Sequence, residues 1–191
     1  MTLRRRWSRW NEGLSNDNYA LRLYQEEHIM TNDSSDDHNP PSPSKPDSRL
    51  RSLDKLLGTW SLTHRAFESG EEWRGQDRFE WMDGGFFLAF YHEEFEQNIK
   101  GVMLIGYEQR WGEEKPSNEL IGHWFESSTG NHFVYIWEVS DETLTFWLEQ
   151  KGSDSAFHGR FSDDGNTITG AWKWPGGGYE LTMTRLASEK Q

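Results

Sequence analysis

The chain of 191 residues contains no cysteine. This absence excludes disulfide bonds, cysteine-ligated zinc and thiol nucleophiles. Long apolar runs are also missing, because no segment approaches the roughly 20 apolar residues of a membrane-spanning helix. Residues 4–6 are arginines, but polar residues interrupt the segment that follows, so no secretory or twin-arginine signal is predicted. We therefore expect a cytoplasmic protein whose fold is held by packing alone.

Positive charge is scarce. The chain has 20 lysines and arginines against 32 aspartates and glutamates, which gives a net charge of −12. Its basic cluster lies in residues 4–10, where arginines alternate with Trp7 and Trp10. A handful of arginines neutralises few phosphates, so we do not expect a nucleic-acid partner.

Aliphatic side chains are few, and hydrophobic residues make up only 34% of the chain. However, 11 Trp, 11 Phe and 6 Tyr concentrate the apolar area in large rings. Such rings either line the wall of a cavity or fill the interior of a solid fold, and composition leaves both alternatives open.

The N-terminal quarter differs in composition from the remainder. Residues 31–48 are rich in Asn, Asp and Ser and hold all but two of the six prolines. This mixture buries too little apolar surface to offset the entropy of ordering it. We predict a disordered extension over residues 1–48 and a single domain over residues 49–188. An alternative is that translation starts at Met30, which makes residues 1–29 an artefact of start-site choice.

A short helix is predicted at the start of the domain. Residues 49–57 carry leucines at three- and four-residue spacing, which is typical of one apolar stripe. Ser52 or Asp54 is expected near its start, and Gly58 is expected to end it. The helix either plugs one mouth of a barrel or packs on its outside.

The chain from Gly58 onward is predicted to be all-β. Glycine-containing turns, such as Asp83-Gly84 and the segment 162–166, separate about ten strands. Short links favour an antiparallel up-and-down meander, and closure into a barrel removes exposed strand edges. The predicted strands are residues 59–67, 73–82, 86–95, 99–110, 119–127, 131–139, 143–150, 156–161, 167–174 and 179–186.

Three segments carry a family resemblance: Leu-Leu-Gly-Thr-Trp at residues 56–60, residues 101–108 and residues 159–172. Their order and spacing resemble a bacterial domain-of-unknown-function family with a lipocalin-like, calycin-type barrel. The resemblance covers residues 53–186 and implies an architecture without a general reaction. A more distant similarity is to nitrobindin-like barrels, which use a histidine near the C-terminal end as a haem ligand. The predicted last strand, residues 179–186, has no histidine, so no cofactor is expected.

The candidate ligand-binding residues come from the alternation of side chains along the strands. They are Trp60, His64, Asp77, Phe79, Trp81, His92, His123, Tyr135, Trp137 and His158. Both faces of the strand at 86–95 are apolar, so alternation alone does not place His92. Glu93, Glu94 and Glu96 are interpreted as a solvated charge run. No close His-x-His spacing supports a metal site, and no catalytic residue is assigned.

Three functions follow from these observations. We prefer a non-enzymatic barrel whose cavity binds a small hydrophobic or aromatic molecule. The first alternative is a cofactor-independent enzyme of the cyclase or isomerase type, which a buried His64 or His92 beside Asp77 would favour. The second is a solid barrel that serves as an interaction module. Exposed strands or aromatic patches are also compatible with a homodimer.

The two hypotheses for the N-terminal extension differ in mass. If Met30 is the start, intact-mass measurement of the native protein gives a species that lacks residues 1–29. A species that contains Arg4, Arg5 and Arg6 excludes the internal start.

Overall fold

The computed structural model describes residues 45–111 and 113–187. The predictions for residues 1–44, namely the disordered extension and the start at Met30, lie outside the described residues. Among those described, no helix is both long and apolar enough to cross a membrane.

The described part of the chain forms a closed, antiparallel, up-and-down β-barrel, which confirms the predicted fold class and the number of strands. Each strand pairs with the next along the chain, and the last pairs with the first. The strands are β1 (Gly58–Ala66), β2 (Glu72–Trp81), β3 (Leu88–Glu94), β4 (Ile99–Gly106), β5 (Leu120–Glu126), β6 (His132–Val139), β7 (Thr143–Leu148), β8 (Ala156–Phe161), β9 (Thr167–Trp174) and β10 (Gly177–Arg185).

The largest boundary differences occur at turns. β10 begins two residues earlier than predicted because Trp174 pairs with Gly177, which leaves a two-residue turn and draws the glycines at 177 and 178 into the strand. A Cβ at Gly178 would collide with the Phe67 ring, so glycine is needed there for close packing rather than for mobility. β4 ends at Gly106, four residues before the predicted end.

The helix is a 3-10 helix over Ser48–Leu56. Its three buried leucines recur every third residue, which matches the three residues per turn of this helix. The predicted start was wrong: Asp47 is the cap, and its Oδ1 accepts a hydrogen bond from the Arg49 backbone N–H at 2.9 Å. Ser52 lies inside the helix, and its hydroxyl donates to the Arg49 carbonyl instead.

The helix plugs one mouth of the barrel. Leu50, Leu53 and Leu56 are at most 4% exposed and belong to the barrel core. The Trp60 indole N–H donates to the Leu56 carbonyl at 2.7 Å. At the C-terminal end of β10, the Arg185 guanidinium donates to two carbonyls of the same segment. The sequence left open whether the helix plugs a mouth of the barrel or packs on its outside, and in the structure it plugs the mouth.

Shortening a plug leucine is expected to destabilise the whole domain. Leu53 is fully buried, so Leu53→Ala removes packed methyl groups and leaves a cavity, which lowers the free energy of unfolding by about 2–5 kcal/mol. Arg51 is exposed on the same helix, and Arg51→Ala should change that free energy by less than about 0.5 kcal/mol. Chemical denaturation measures both. Equal, small effects would contradict docking of the helix.

Candidate functional site

A cavity of about 220 Å³ lies at the end of the barrel opposite the helix. The interior nearer the helix is filled by leucines and rings, including Trp60 and Phe79, which are 0% and 3% exposed. The cavity wall carries six aromatic rings, from Phe90, Trp124, Phe133, Tyr135, Phe146 and Tyr179. Its polar lining comes from His64, Asp77, His92 and Glu126.

His92 lies between two carboxylates. It faces Asp77 across the β2–β3 ladder, and its Nδ1 is 2.7 Å from Asp77 Oδ1. Glu94 follows two residues later on the same inner face of β3, and its Oε1 is 3.5 Å from His92 Nε2. Cross-strand pairing and the two-residue period of a strand are therefore sufficient to assemble the three groups.

His64 joins this group from β1. Its Nε2 is 3.6 Å from Glu94 Oε1, and its side chain is 1% exposed. The ring stacks on Trp73, its cross-strand partner, with centroids 4.9 Å apart, and meets the edge of Tyr179 at 5.2 Å. His64 is thus enclosed by rings on β2 and β10.

The two carboxylates keep His92 protonated. Burial by itself lowers the pKa of His92, but the charge and hydrogen bond of Asp77, together with Glu94, outweigh it and raise that pKa to about 10. Burial would raise the pKa of Glu94, yet the hydrogen bond and charge of His92 lower it. Burial raises the pKa of Asp77, against the opposing charge and hydrogen bond of His92.

His64 behaves in the opposite way. Burial lowers its pKa to about 4, and the charge of Glu94 offsets only part of that shift. It is therefore neutral at physiological pH, while His92 is an imidazolium a short distance away. The rings of the two histidines are 6.5 Å apart, which disfavours a second positive charge.

One carboxylate oxygen in the cavity has no hydrogen-bond partner among the described residues. The Asp77 side chain accepts its hydrogen bond at Oδ1 from His92 and makes no other to the described residues. Asp77 is 4% exposed and lines the cavity. No three His, Asp or Glu side chains in residues 45–111 and 113–187 are arranged to hold a metal ion. The polar end of the cavity is thus suited to hydrogen bonding and charge.

Four of the ten candidate residues come together at the cavity: His64, Asp77, His92 and Tyr135. Four others lie in the barrel interior closer to the helix: Trp60, Phe79, Trp81 and Trp137. Among these, Trp81 contacts the helix, because its indole N–H donates to Asp54 Oδ1 at 2.9 Å. A ligand-binding role for any of these residues stays a prediction.

The remaining two candidates, His123 and His158, lie on the outer face. Their strand neighbours at 122, 124, 157 and 159 point inward, so alternation directs both histidines outward. His123 contacts Glu108 and stacks on His132, with ring centroids 5.6 Å apart. His158 is exposed and 3.4 Å from the Thr145 hydroxyl. The structure does not bring either one to the cavity.

Several residues of the site were not among the candidates: Trp73, Glu94, Trp124 and Tyr179. The assignment of Glu94 to a solvated run was wrong, because its side chain is only 8% exposed. Alternation gave no signal for it, because Glu94 has the same parity on β3 as His92 and the sequence did not place that face. Glu93, with the opposite parity, does face outward and pairs with Lys100 at 2.6 Å.

Comparison with known proteins adds no family assignment. No protein-family model matches the chain, and a search of the curated proteins finds no match. The closed ten-stranded barrel is compatible with the calycin-type architecture that the sequence resemblance implies.

The two buried histidines are expected to reduce the stability of the fold at opposite ends of the pH range. The folded pKa of His92 is raised from 6.5 to about 10, so its stabilisation is complete below 6.5 and is lost as pH rises to 10. The folded pKa of His64 is lowered from 6.5 to about 4, so stability falls as pH drops through that interval.

The midpoint temperature of thermal unfolding, measured from pH 4 to 10, shows both the acidic and the alkaline decline. His92→Gln should remove the alkaline decline, on the order of several degrees, and His64→Gln should flatten the acidic one. His158→Gln, on the outer face, is the control and should retain both. An alkaline decline that persists unchanged in His92→Gln would contradict the assignment.

Proposed function

We propose that the barrel binds a small molecule with an aromatic ring in the cavity opposite the helix. The observation that carries the proposal is the unfilled space of about 220 Å³ at the His92 end, in an otherwise densely packed interior. Ligand sites combine apolar walls with a few convergent polar groups, which describes this lining.

The cavity volume limits the size of the ligand. Sites for drug-sized molecules span roughly 300–1,000 Å³, while an apolar cavity of about 150 Å³ accommodates benzene. A volume of about 220 Å³ suits one ring with a short substituent. The wall rings supply faces and edges for stacking against it.

Acid–base catalysis is the second candidate, and the buried Asp77–His92 hydrogen bond of 2.7 Å is the observation that favours it. Two features argue for binding instead. Both ring nitrogens of His92 face carboxylates, so neither is available to accept a proton from a substrate. A pKa of about 10 also lies far from the neutral range in which a general acid or base is most effective.

We also propose that the protein is a lipocalin-like, calycin-type binding protein, because its sequence resembles that group. The ten strands exceed the eight of lipocalins, so the likeness concerns architecture and not strand count. A bacterial source and a cytoplasmic location belong to the same proposal and rest on the resemblance and on composition. The packed part of the interior supports the alternative of a solid barrel that serves as an interaction module. The cavity argues against that alternative.

Binding is expected to depend on the cavity and not on the outer surface. Three one-ring probes, 2-phenylethylammonium, 2-phenylethanol and phenylacetate, are titrated by ligand-observed NMR. Ile99 lines the cavity near its mouth, so Ile99→Trp should fill the space and weaken binding of any bound probe by at least about tenfold. Val102→Trp, on the outer face of the same strand, should leave it unchanged.

Native mass spectrometry of the protein from its own host complements the titration. A small molecule released on denaturation supports the proposal and identifies the ligand. Failure of all three probes to bind, together with identical native and denatured masses, would overturn it. Equal weakening by the two tryptophan variants would locate binding elsewhere.

A further inference from the structure

The ionisable part of the cavity lining is mainly acidic. Asp77 and Glu126 line the cavity, and Glu94 lies behind His92. None of the described residues that line it is a lysine or arginine. Among the described lining residues, the one positive group is the His92 imidazolium, which faces both Asp77 and Glu94. Two carboxylates contact the one positive charge, Glu126 adds a third to the lining, and His64 adds no positive charge because burial lowers its pKa to about 4.

The two tyrosines of the cavity wall, Tyr135 and Tyr179, lie in the same negative electrostatic potential. Burial is the main reason that the pKa of Tyr135 rises to about 12, and the charge of Glu126 raises it further. Burial also raises the pKa of Tyr179, and the charges of Glu94 and Asp77 act in the same direction. A negative group placed in this cavity would meet the same repulsion.

The free Asp77 oxygen gives the acidic lining a defined point of contact. Oδ1 accepts the hydrogen bond of His92, whereas Oδ2 makes no hydrogen bond to any described residue, and the side chain, which is 5% exposed, lines the cavity. The cavity reaches this oxygen, so a ligand N–H placed there gains a hydrogen bond to it. A charged N–H donor does so more strongly than a neutral one.

Aromatic rings lie near the same histidine. The rings of Trp124 and Phe90 lie 5.8 and 6.0 Å from the His92 ring, which itself is bonded to Asp77. Ring faces attract cations, most strongly when water is excluded. Carboxylates and aromatic rings together form an environment that suits an organic cation.

We propose that the cavity selects a small organic ammonium ion, whose charged nitrogen binds Asp77 Oδ2 and whose apolar part packs on the aromatic wall. This inference rests on the proposed function and names the chemical class of its ligand. It differs from a purely hydrophobic ligand in requiring one positive charge.

The three one-ring probes test the inference because they share a phenyl ring and differ in charge. The wild-type protein is expected to bind 2-phenylethylammonium at least about tenfold more tightly than 2-phenylethanol, and phenylacetate most weakly. If no probe binds and native mass spectrometry also finds no released molecule, the proposed function itself fails. If the alcohol binds as tightly as the ammonium ion, or phenylacetate binds best, only the selection of cations is overturned.

Substitutions of single carboxylates test which residues cause the preference for the ammonium probe. Asp77→Asn keeps the size of the side chain and an acceptor for His92, and it should weaken ammonium binding about tenfold while alcohol binding changes less than about twofold. Glu126→Gln, at the mouth, is the second variant in case Asp77→Asn folds poorly. It should weaken ammonium binding by about two- to fivefold.

Glu93→Gln is the matched control, since it removes one negative charge from the outer face of β3. It should leave all three affinities unchanged. A loss of ammonium binding in Glu93→Gln as large as that in Asp77→Asn would assign the preference to the overall charge of the protein and overturn the site.

Discussion

Pairing of β1 with β10 is the constraint on which the remaining structure depends. The ladder runs from Trp60 opposite Arg185 to Ala66 opposite Tyr179, and it joins the two ends of the sheet into a closed wall. Closure leaves no exposed sheet edge and fixes an inside and an outside for every strand. Once the register is set, the inner position of His64 on β1 also sets its neighbours, Trp73 on β2 and Leu181 on β10.

The interior of the barrel is densely packed at the end that holds the helix and less densely packed at the opposite end. Three leucines of the helix and a set of stacked rings occupy one part, where Phe79 and Phe90 lie parallel with centroids 4.5 Å apart. The other part contains ionised groups, which are costly to bury unless they are paired. Asp77, His92 and Glu94 meet that requirement among themselves, so the polar end is stable while still leaving space beside it.

Much of the fold was predictable because its signals are local. Turn residues such as Asp164-Gly165 mark strand ends, and ten predicted strands correspond to ten observed ones. The site was less predictable because its geometry arises between strands. Asp77 and His92 were candidates separately, but only the β2–β3 register brings them opposite each other. Glu94 was missed because a cluster of acidic residues near a turn is ordinarily solvated, whereas in the structure Glu94 shares the inner face of β3 with His92.

The anchoring of the helix by Arg185 has a consequence for biosynthesis. Arg185 is separated by 128 and 130 residues from the carbonyls of Leu57 and Lys55 that it binds. On the ribosome, the segment with those carbonyls emerges first and Arg185 among the last residues of the domain. The plug therefore cannot be locked, nor the wall closed, before β10 and Arg185 have been translated, so the ring-rich strands of the nascent chain lack their closing partner until then.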